Sequence, residues 1–200
     1  MSVLSGIKES VQQVAEAISI AVGLEVEIVD NKLRILGGTG YYHGRIGKEE
    51  EDGNLEGNYL YASVLRTGKT QYVEDAQNYK GYDMPVVGNT RLGELAEICT
   101  PIILKGDIIG IIGLVAFTEE QRHIILYKRE SMTVFVEKMA DLLAAKADQQ
   151  ASLENAEVIR DEMSTVLETA HEGIFALDRK GYVKHCNNRA AALFGTNKGD

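Results

Sequence analysis

The stretch Glu97–Phe117, EICTPIILKGDIIGIIGLVAF, is the most apolar part of the chain and decides the fold. It has three readings: a membrane helix, a glycine-rich nucleotide loop or a buried β-hairpin. Lys105 and Asp107 break the apolar run, so no uncharged segment reaches the ~18 residues a membrane span needs. Gly106, Gly110 and Gly113 are spaced G-x3-G-x2-G, which is neither the dinucleotide pattern nor a phosphate loop with its lysine. The hairpin fits. Gly106-Asp107 sits between two runs rich in β-branched residues, which predicts a tight turn there. In the second run Ile108, Ile112 and Leu114 share one face, and Ile109, Ile111, Val115 and Phe117 the other. A strand apolar on both faces is covered on both and lies centrally in its sheet. Gly110 and Gly113 fall on opposite faces, each marking a close neighbour, and only one of them can face a ligand.

On the N-terminal side, Leu4, Ile7, Val11, Val14 and Ile18 recur at helical spacing within Val3–Val22, and Gly23 ends that helix. LEVEIVDNKLRIL reads as a hairpin turning at Asp30-Asn31, with Glu25 and Glu27 alternating with Leu24, Val26 and Ile28. The acidic run Glu49–Asp52 reads as a solvated loop. Leu55–Thr67 is a helix closed by Gly68, TQYVED a short strand, and Ala76–Leu92 a loop long enough to be functional.

On the C-terminal side no Gly or Pro occurs between Thr118 and Gly173, and a helix is expected throughout. Met132, Phe135, Met139 and Leu142, then Leu153, Ala156, Met163, Leu167 and Ala170, form an imperfect three/four-spaced seam. A parallel dimer would bury it; the alternative is two helices with a bend near Asp148–Ser152. After Gly173, two short strands flank an Asp-Arg-Lys-Gly turn, and a short helix follows.

Net charge −9 argues against a nucleic-acid face in this segment. The N-terminus lacks a basic region followed by an apolar core, so a secretory signal is not expected. Cys99 and Cys186 are the two cysteines, too far apart in sequence for a CxxC site, and a reduced, cytoplasmic setting is expected. The four histidines have no zinc-like spacing, so no metal site is expected. No catalytic motif is visible, and no enzyme activity is expected.

The order helix, hairpin, helix, strand, variable loop, hairpin, long helix resembles a GAF domain. LEVEIVDNKLRILGGTGYY is similar to the first GAF hairpin, and EICTPIILKGDIIGIIGLVAFTEEQR to the last hairpin and the entry to the final helix. These stretches most resemble the N-terminal sensor of sigma-54-dependent transcriptional activators. Met163–Gly195 resembles the opening of a PAS domain. The resemblance implies an α/β (α+β) fold: a GAF-like antiparallel sheet with helices on one face, a long signalling helix and a truncated PAS start. It implies a GAF domain over 1–147, a coiled-coil linker helix over 148–170 and a PAS fragment over 171–200. In such regulators an AAA+ ATPase and a helix-turn-helix domain follow, which implies that this chain is an N-terminal region.

Relatives of this type often carry several cysteines before E-I-C-T-P, whereas here only Cys99 remains, arguing against a cysteine-ligated cluster and against methionine sulfoxide reductase chemistry. The resemblance identifies no cofactor. Seven of the nine tyrosines fall within Tyr41–Tyr82. GAF domains hold ligands between a sheet face and variable loops, which makes Tyr41, Tyr42, Tyr59, Tyr79, Tyr82, Arg91 and Cys99 the candidate ligand-binding residues. The expected function is sensing of a small-molecule effector by a homodimer joined through its N-terminal and long C-terminal helices. No nucleic-acid or membrane contact is expected. The alternative output is a histidine kinase or a cyclic-dinucleotide enzyme.

Overall fold

The computed structural model describes residues 2–80, 82, 86–87, 90–91 and 93–194, with backbone alone at 86–87, 90–91 and 194. A 3-10 turn, Leu4–Ile7, leads into α1 (Lys8–Val22), which Gly23 closes in the left-handed conformation at φ 72°. The hairpin β1 (Glu25–Asp30) and β2 (Ile35–Gly38) follows, then α2 (Leu60–Thr67) and β3 (Gln71–Val73). Two-residue strands β4 (Val86–Val87) and β5 (Thr90–Arg91) pair with each other. The long hairpin β6 (Ala96–Leu104) and β7 (Asp107–Ala116) feeds α3 (Glu119–Tyr127) and α4 (Arg129–Thr169). Last come β8 (Phe175–Leu177), β9 (Val183–Cys186) and α5 (Asn188–Phe194). By contacts the chain divides into two compact units, residues 1–151 and 152–200.

The first unit is built on a five-stranded antiparallel sheet in the order β2-β1-β7-β6-β3. The opening stretch forms its central hairpin, as expected. The turn is one residue earlier than expected. Leu104 pairs with Asp107, and Lys105 and Gly106 take φ 53° and 95°. Positive φ at both central positions is the two-residue turn that matches strand twist, and Gly106 fits its second position. The face assignment also changes. Ile102 pairs with Gly110 and Ile103 with Ile108, leaving Ile109 as a bulge. The bulge shifts the alternation, so Ile109 joins Ile112 and Leu114 in one core.

Each sheet face carries its own core. On one, Val11, Ala15 and Ile18 of α1 and Val136, Ala140, Leu143 and Ala147 of α4 cluster with Val26, Ile28, Ile98, Ile112 and Leu114. Each large apolar side chain there contributes roughly 1.5–3 kcal/mol by leaving water. On the other, Leu60, Tyr61 and Val64 of α2 cluster with Val29, Ile35, Cys99 and Ile111.

The C-terminal helix differs from the uninterrupted one expected from Glu119. It breaks at Lys128, which sits at φ −109°, ψ 23°. The break needs no Gly or Pro, because the Lys128 N–H still bonds the Ile124 carbonyl and the Met132 N–H bonds the Lys128 carbonyl. Beyond it α4 runs as one continuous helix, Arg129–Thr169. Its role changes along its length. Met132, Phe135 and Met139 of the expected seam pack against the first unit's core, whereas Leu153, Ile159, Met163 and Val166 are exposed.

In the second unit, buried Asn187 ties β8–β9 and α5 to the end of α4. Its amide N–H groups donate to the carbonyls of Leu167 and Glu172, and its oxygen accepts from the backbone of Ile174 and Ala190, each at 2.9 Å. All four hydrogen-bonding positions of the amide are thereby filled.

Candidate functional site

The α2 face of the sheet holds a small chamber lined by Glu27, Tyr42, Glu50, Glu51, Leu60, Tyr61, Tyr82, Glu94 and Glu97. Its volume is about 20 Å³, room for one water-sized group. The strand register makes the space. Glu27 of β1 and Cys99 of β6 both pair with Gly113 of β7, so a residue without a side chain lies between them. A Cβ at Gly113 would strike the Tyr61 hydroxyl and lie 2.7 Å from Glu97 Oε1. Gly110 faces the opposite core, where a Cβ would strike Leu4 and the Val29 carbonyl. Gly113 is therefore the glycine on the chamber side.

Five carboxyl groups converge here, all nearly buried, with Glu94 1% and Glu27 and Glu97 each 3% exposed. Tyr61 Oη reaches Glu97 Oε1 at 2.7 Å and Glu27 Oε2 at 3.0 Å. Tyr82 donates to Glu97 Oε2 at 2.6 Å, the Cys99 thiol donates to Glu97 Oε1 at 2.9 Å, and Tyr42 donates to Glu94. Arg45 pairs with Glu50 at 2.5 Å. The buried Glu27 carboxyl also lies against that of Glu50, within hydrogen-bonding reach.

The acidic run Glu49–Asp52 is not the solvated loop expected. Glu50 and Glu51 are buried, 5% and 6% exposed. The cause lies ten residues downstream. Tyr59, at the start of α2, offers no side-chain cap, and Glu51 supplies it, accepting from the N–H groups of Tyr61 and Ala62 at 2.6 and 2.9 Å.

Burial dominates the titration of these groups, since a charge in a low-dielectric site is costly. It pushes Glu94 up to about 8, with repulsion from Glu97 adding and hydrogen bonds from Tyr42 and Tyr82 opposing. It pushes Glu51 up to about 7 against the two helix amides that bind it. Burial and then repulsion from neighbouring Glu50 hold Glu27 well above the usual carboxylate range. Glu97 is raised by burial despite its three donors. Burial, then the surrounding acids, hold Tyr42, Tyr61, Tyr82 and Cys99 well above their ordinary values, so the phenols stay neutral donors. A thiol held this far from ionisation is a poor nucleophile. Among the described residues, no group of three or more His, Cys, Asp or Glu side chains is arranged to hold a metal ion.

Of the expected ligand residues, the structure brings Tyr42 and Tyr82 to the chamber wall and Cys99 against Glu97. Tyr41 and Tyr79 are exposed, 54% and 42%, Tyr41 resting against Phe117. Tyr59 is half-buried beside Gly57, outside the chamber. The backbone of Arg91 lies in β5, and its side chain falls outside the described residues. Tyr61 and all five glutamates are absent from the set expected from sequence. Glu97 carries the signal that finds them: an acid in a strand covered on both faces must be buried and partnered.

Fold comparison gives 16% identity and a TM-score of 0.57 to the GAF domain of a phosphoenolpyruvate-protein phosphotransferase from Coxiella burnetii, over 74% of this chain and 86% of that one. Residues 162–200 match the PAS domain family. The first unit thus has a GAF-like fold, and the chain's last 39 residues are similar to a PAS domain. The chain is also similar in fold to a chain of the Escherichia coli DhaR(N)–DhaL complex, with 16% identity and a TM-score of 0.58 over 98% of this chain and 67% of that one. In sequence it is 28% identical over 196 residues to an Escherichia coli K12 protein, UacR, assigned as a uric acid sigma-54-dependent transcriptional regulator. The match covers 97% of this chain and 32% of UacR, so the chain spans about a third of that relative's length. No described helix is long and apolar enough to cross a membrane.

Proposed function

We propose that this GAF–PAS chain is the sensing and dimerising region of a cytoplasmic sigma-54-dependent transcriptional regulator. The observation that carries the reading is a polar chamber on one face of a sheet whose other face holds α4. Glu97 lines the chamber, and Ile98, the next residue on β6, packs in the core that includes Val136 and Leu143. A ligand that moves β6 or β7 therefore acts on α4 through one layer of backbone, and a packed interface of this kind is a suitable two-state element. Similarity to UacR over nearly the whole chain supports the regulatory output. The Cys99 thiol, buried and held un-ionised, argues against a redox enzyme. The proposed division is a GAF sensor over 1–147, a linker helix over 148–170 and a PAS start over 171–200.

Dimerisation follows from the exposed part of α4. Ile159, Met163 and Val166 are 62%, 63% and 68% exposed, and with Ala156 and Ala170 they repeat at three/four spacing. A second copy in parallel would bury this stripe. Light scattering at high concentration then gives about twice the 22.0 kDa chain mass, and Ile159→Glu with Met163→Glu halves it. A monomer at every concentration sinks the dimer. The sensing reading is tested by promoter output from the whole regulator.

A further inference from the structure

β3 is the edge strand of the sheet beside β6. Successive side chains of a strand point to opposite faces, so its residues grip different helices by turns. On the α2 side, Gln71 donates to the Ser63 hydroxyl at 2.8 Å, and Val73 is buried in the core that α2 covers. On the other side, Thr70, Tyr72 and Glu74 all reach α3 or α4. Thr70 donates to Glu137 Oε1 at 3.3 Å. The Tyr72 hydroxyl lies 2.9 Å from that of Thr133. Thr133 gives its own proton to the Arg129 carbonyl at 2.7 Å, so Tyr72 is the donor to Thr133. The Arg129 guanidinium lies 3.7 Å over the Tyr72 ring and donates to Glu74 Oε1 at 3.0 Å. Glu74 spans the break at Lys128. Its backbone carbonyl accepts from Arg122 Nε of α3 at 3.0 Å, while its carboxylate holds Arg129, the first residue of α4. The fully buried contacts of α4 begin only at Val136. Its first turn is therefore held by β3 and by half-buried Met132. In the β3–β6 register Val73 pairs with Glu97, which puts these contacts one residue away from the chamber wall.

We propose that β3 is a clasp that fixes α4 at the Lys128 break and carries displacement of the chamber wall to the first turn of α4. The proposal rests on reading the first unit as a sensor with α4 as its output, and it names the part that moves. Two features suit β3 to the task. It has three residues and, among the described residues, one neighbouring strand, so a shift of β3 breaks few ladder bonds. Its grip on α4 is polar: a hydroxyl pair, an ion pair and a cation over a ring separate one at a time. The close-packed core beneath Val136 and Ala140 resists such piecemeal movement. The hinge is at hand as well. Lys128 lies between two helices at φ −109°, ψ 23°, and residues at element ends are the ones that absorb a change of backbone angle.

The test compares amide hydrogen exchange in the 200-residue chain, in Tyr72→Phe, in Glu74→Gln and in the two combined. The combined variant is expected to speed exchange at the Met132 and Thr133 amides about tenfold and to leave Ile112 and Leu114 of β7 unchanged. Tyr72 is half-buried and Glu74 exposed, and both substitutions keep the size of the side chain, so the variants are expected to fold. Should Tyr72→Phe not fold, Thr133→Val removes the same hydrogen bond from the other partner. Unchanged exchange at Met132 and Thr133 overturns the clasp. The second readout is basal output from a sigma-54-dependent promoter driven by the whole regulator. The combined variant is expected to change it by about fivefold or more at equal protein level. Faster exchange with unchanged output makes β3 a brace and not a relay, which also overturns the proposal, and the sensor reading, tested through Glu97, then stands. Silence of both the combined variant and Glu97→Gln removes the sensor reading too.

Discussion

Raising the pH from about 5 to about 9 lowers the unfolding temperature of this chain by about 10 °C or more, and Glu94→Gln removes part of that loss, Glu27, Glu51 and Glu97 carrying the rest. Glu94 faces Tyr42, Tyr82, Glu97 and Glu50, and none of these is a cation. Its ordinary value of 4.5 becomes about 8 in the fold, chiefly through burial. The folded value lies above the unfolded one. The stability it contributes is therefore fully present below about 4.5 and is lost as pH rises through about 8. At ~1.4 kcal/mol per unit the shift is worth ~5 kcal/mol, and a chain of this size loses roughly 2–4 °C per kcal/mol. Glutamine has the shape of the protonated acid and no charge. Glu94→Gln should match the parent near pH 5 and exceed it near pH 9. Parallel unfolding curves for the two proteins would remove Glu94 from the account of the chamber.

The second large effect is expected at Gly110. Its missing Cβ faces Leu4 and, more seriously, the carbonyl oxygen of Val29 on the neighbouring strand. Backbone cannot rotate away as a side chain can. Gly110→Ala is expected to cost ~3 kcal/mol, or about 6–12 °C, measured by thermal unfolding. At Gly113 the obstacles are the ends of two side chains, Tyr61 and Glu97, so Gly113→Ala costs less stability but breaks the hydroxyl–carboxyl contact over the chamber floor. Gly44, where an added Cβ would meet nothing within 4 Å, is the control, and its alanine variant should stay within ~0.5 kcal/mol. If Gly110→Ala unfolded like Gly44→Ala, the placement of the N-terminal turn against β7 would be wrong.

How much of this is legible in the sequence depends on the range of the interaction that sets it. The Glu97–Phe117 hairpin is readable because turn chemistry and alternation are local. The Ile109 bulge is not, since it depends on the pairing partner. The helix start at Thr118 carries its own capping box with Gln121 and is readable too. The start of α2 is not, because its cap comes from Glu51, ten residues away in an acidic run that reads as solvated. Glu27 fails for a related reason. Alternation with Val26 and Ile28 puts it on a polar face, but β1 pairs with both β2 and β7, and that face lies beneath Tyr61. The clustering of tyrosines is enough to find Tyr42 and Tyr82. The acids that give the chamber its character become visible only when β1, β6 and β7 are laid side by side.

The most direct test of the central claim is output from a sigma-54-dependent promoter driven by the whole regulator, with and without Glu97→Gln. Glu97 touches Tyr61, Tyr82 and Cys99 and is followed on β6 by a residue of the α4-facing core. The predicted result is that the substitution changes effector-dependent output at least tenfold at equal protein level, either locking it or abolishing it. Output that responds to the effector identically in the two proteins would contradict the chamber as the place where this chain senses.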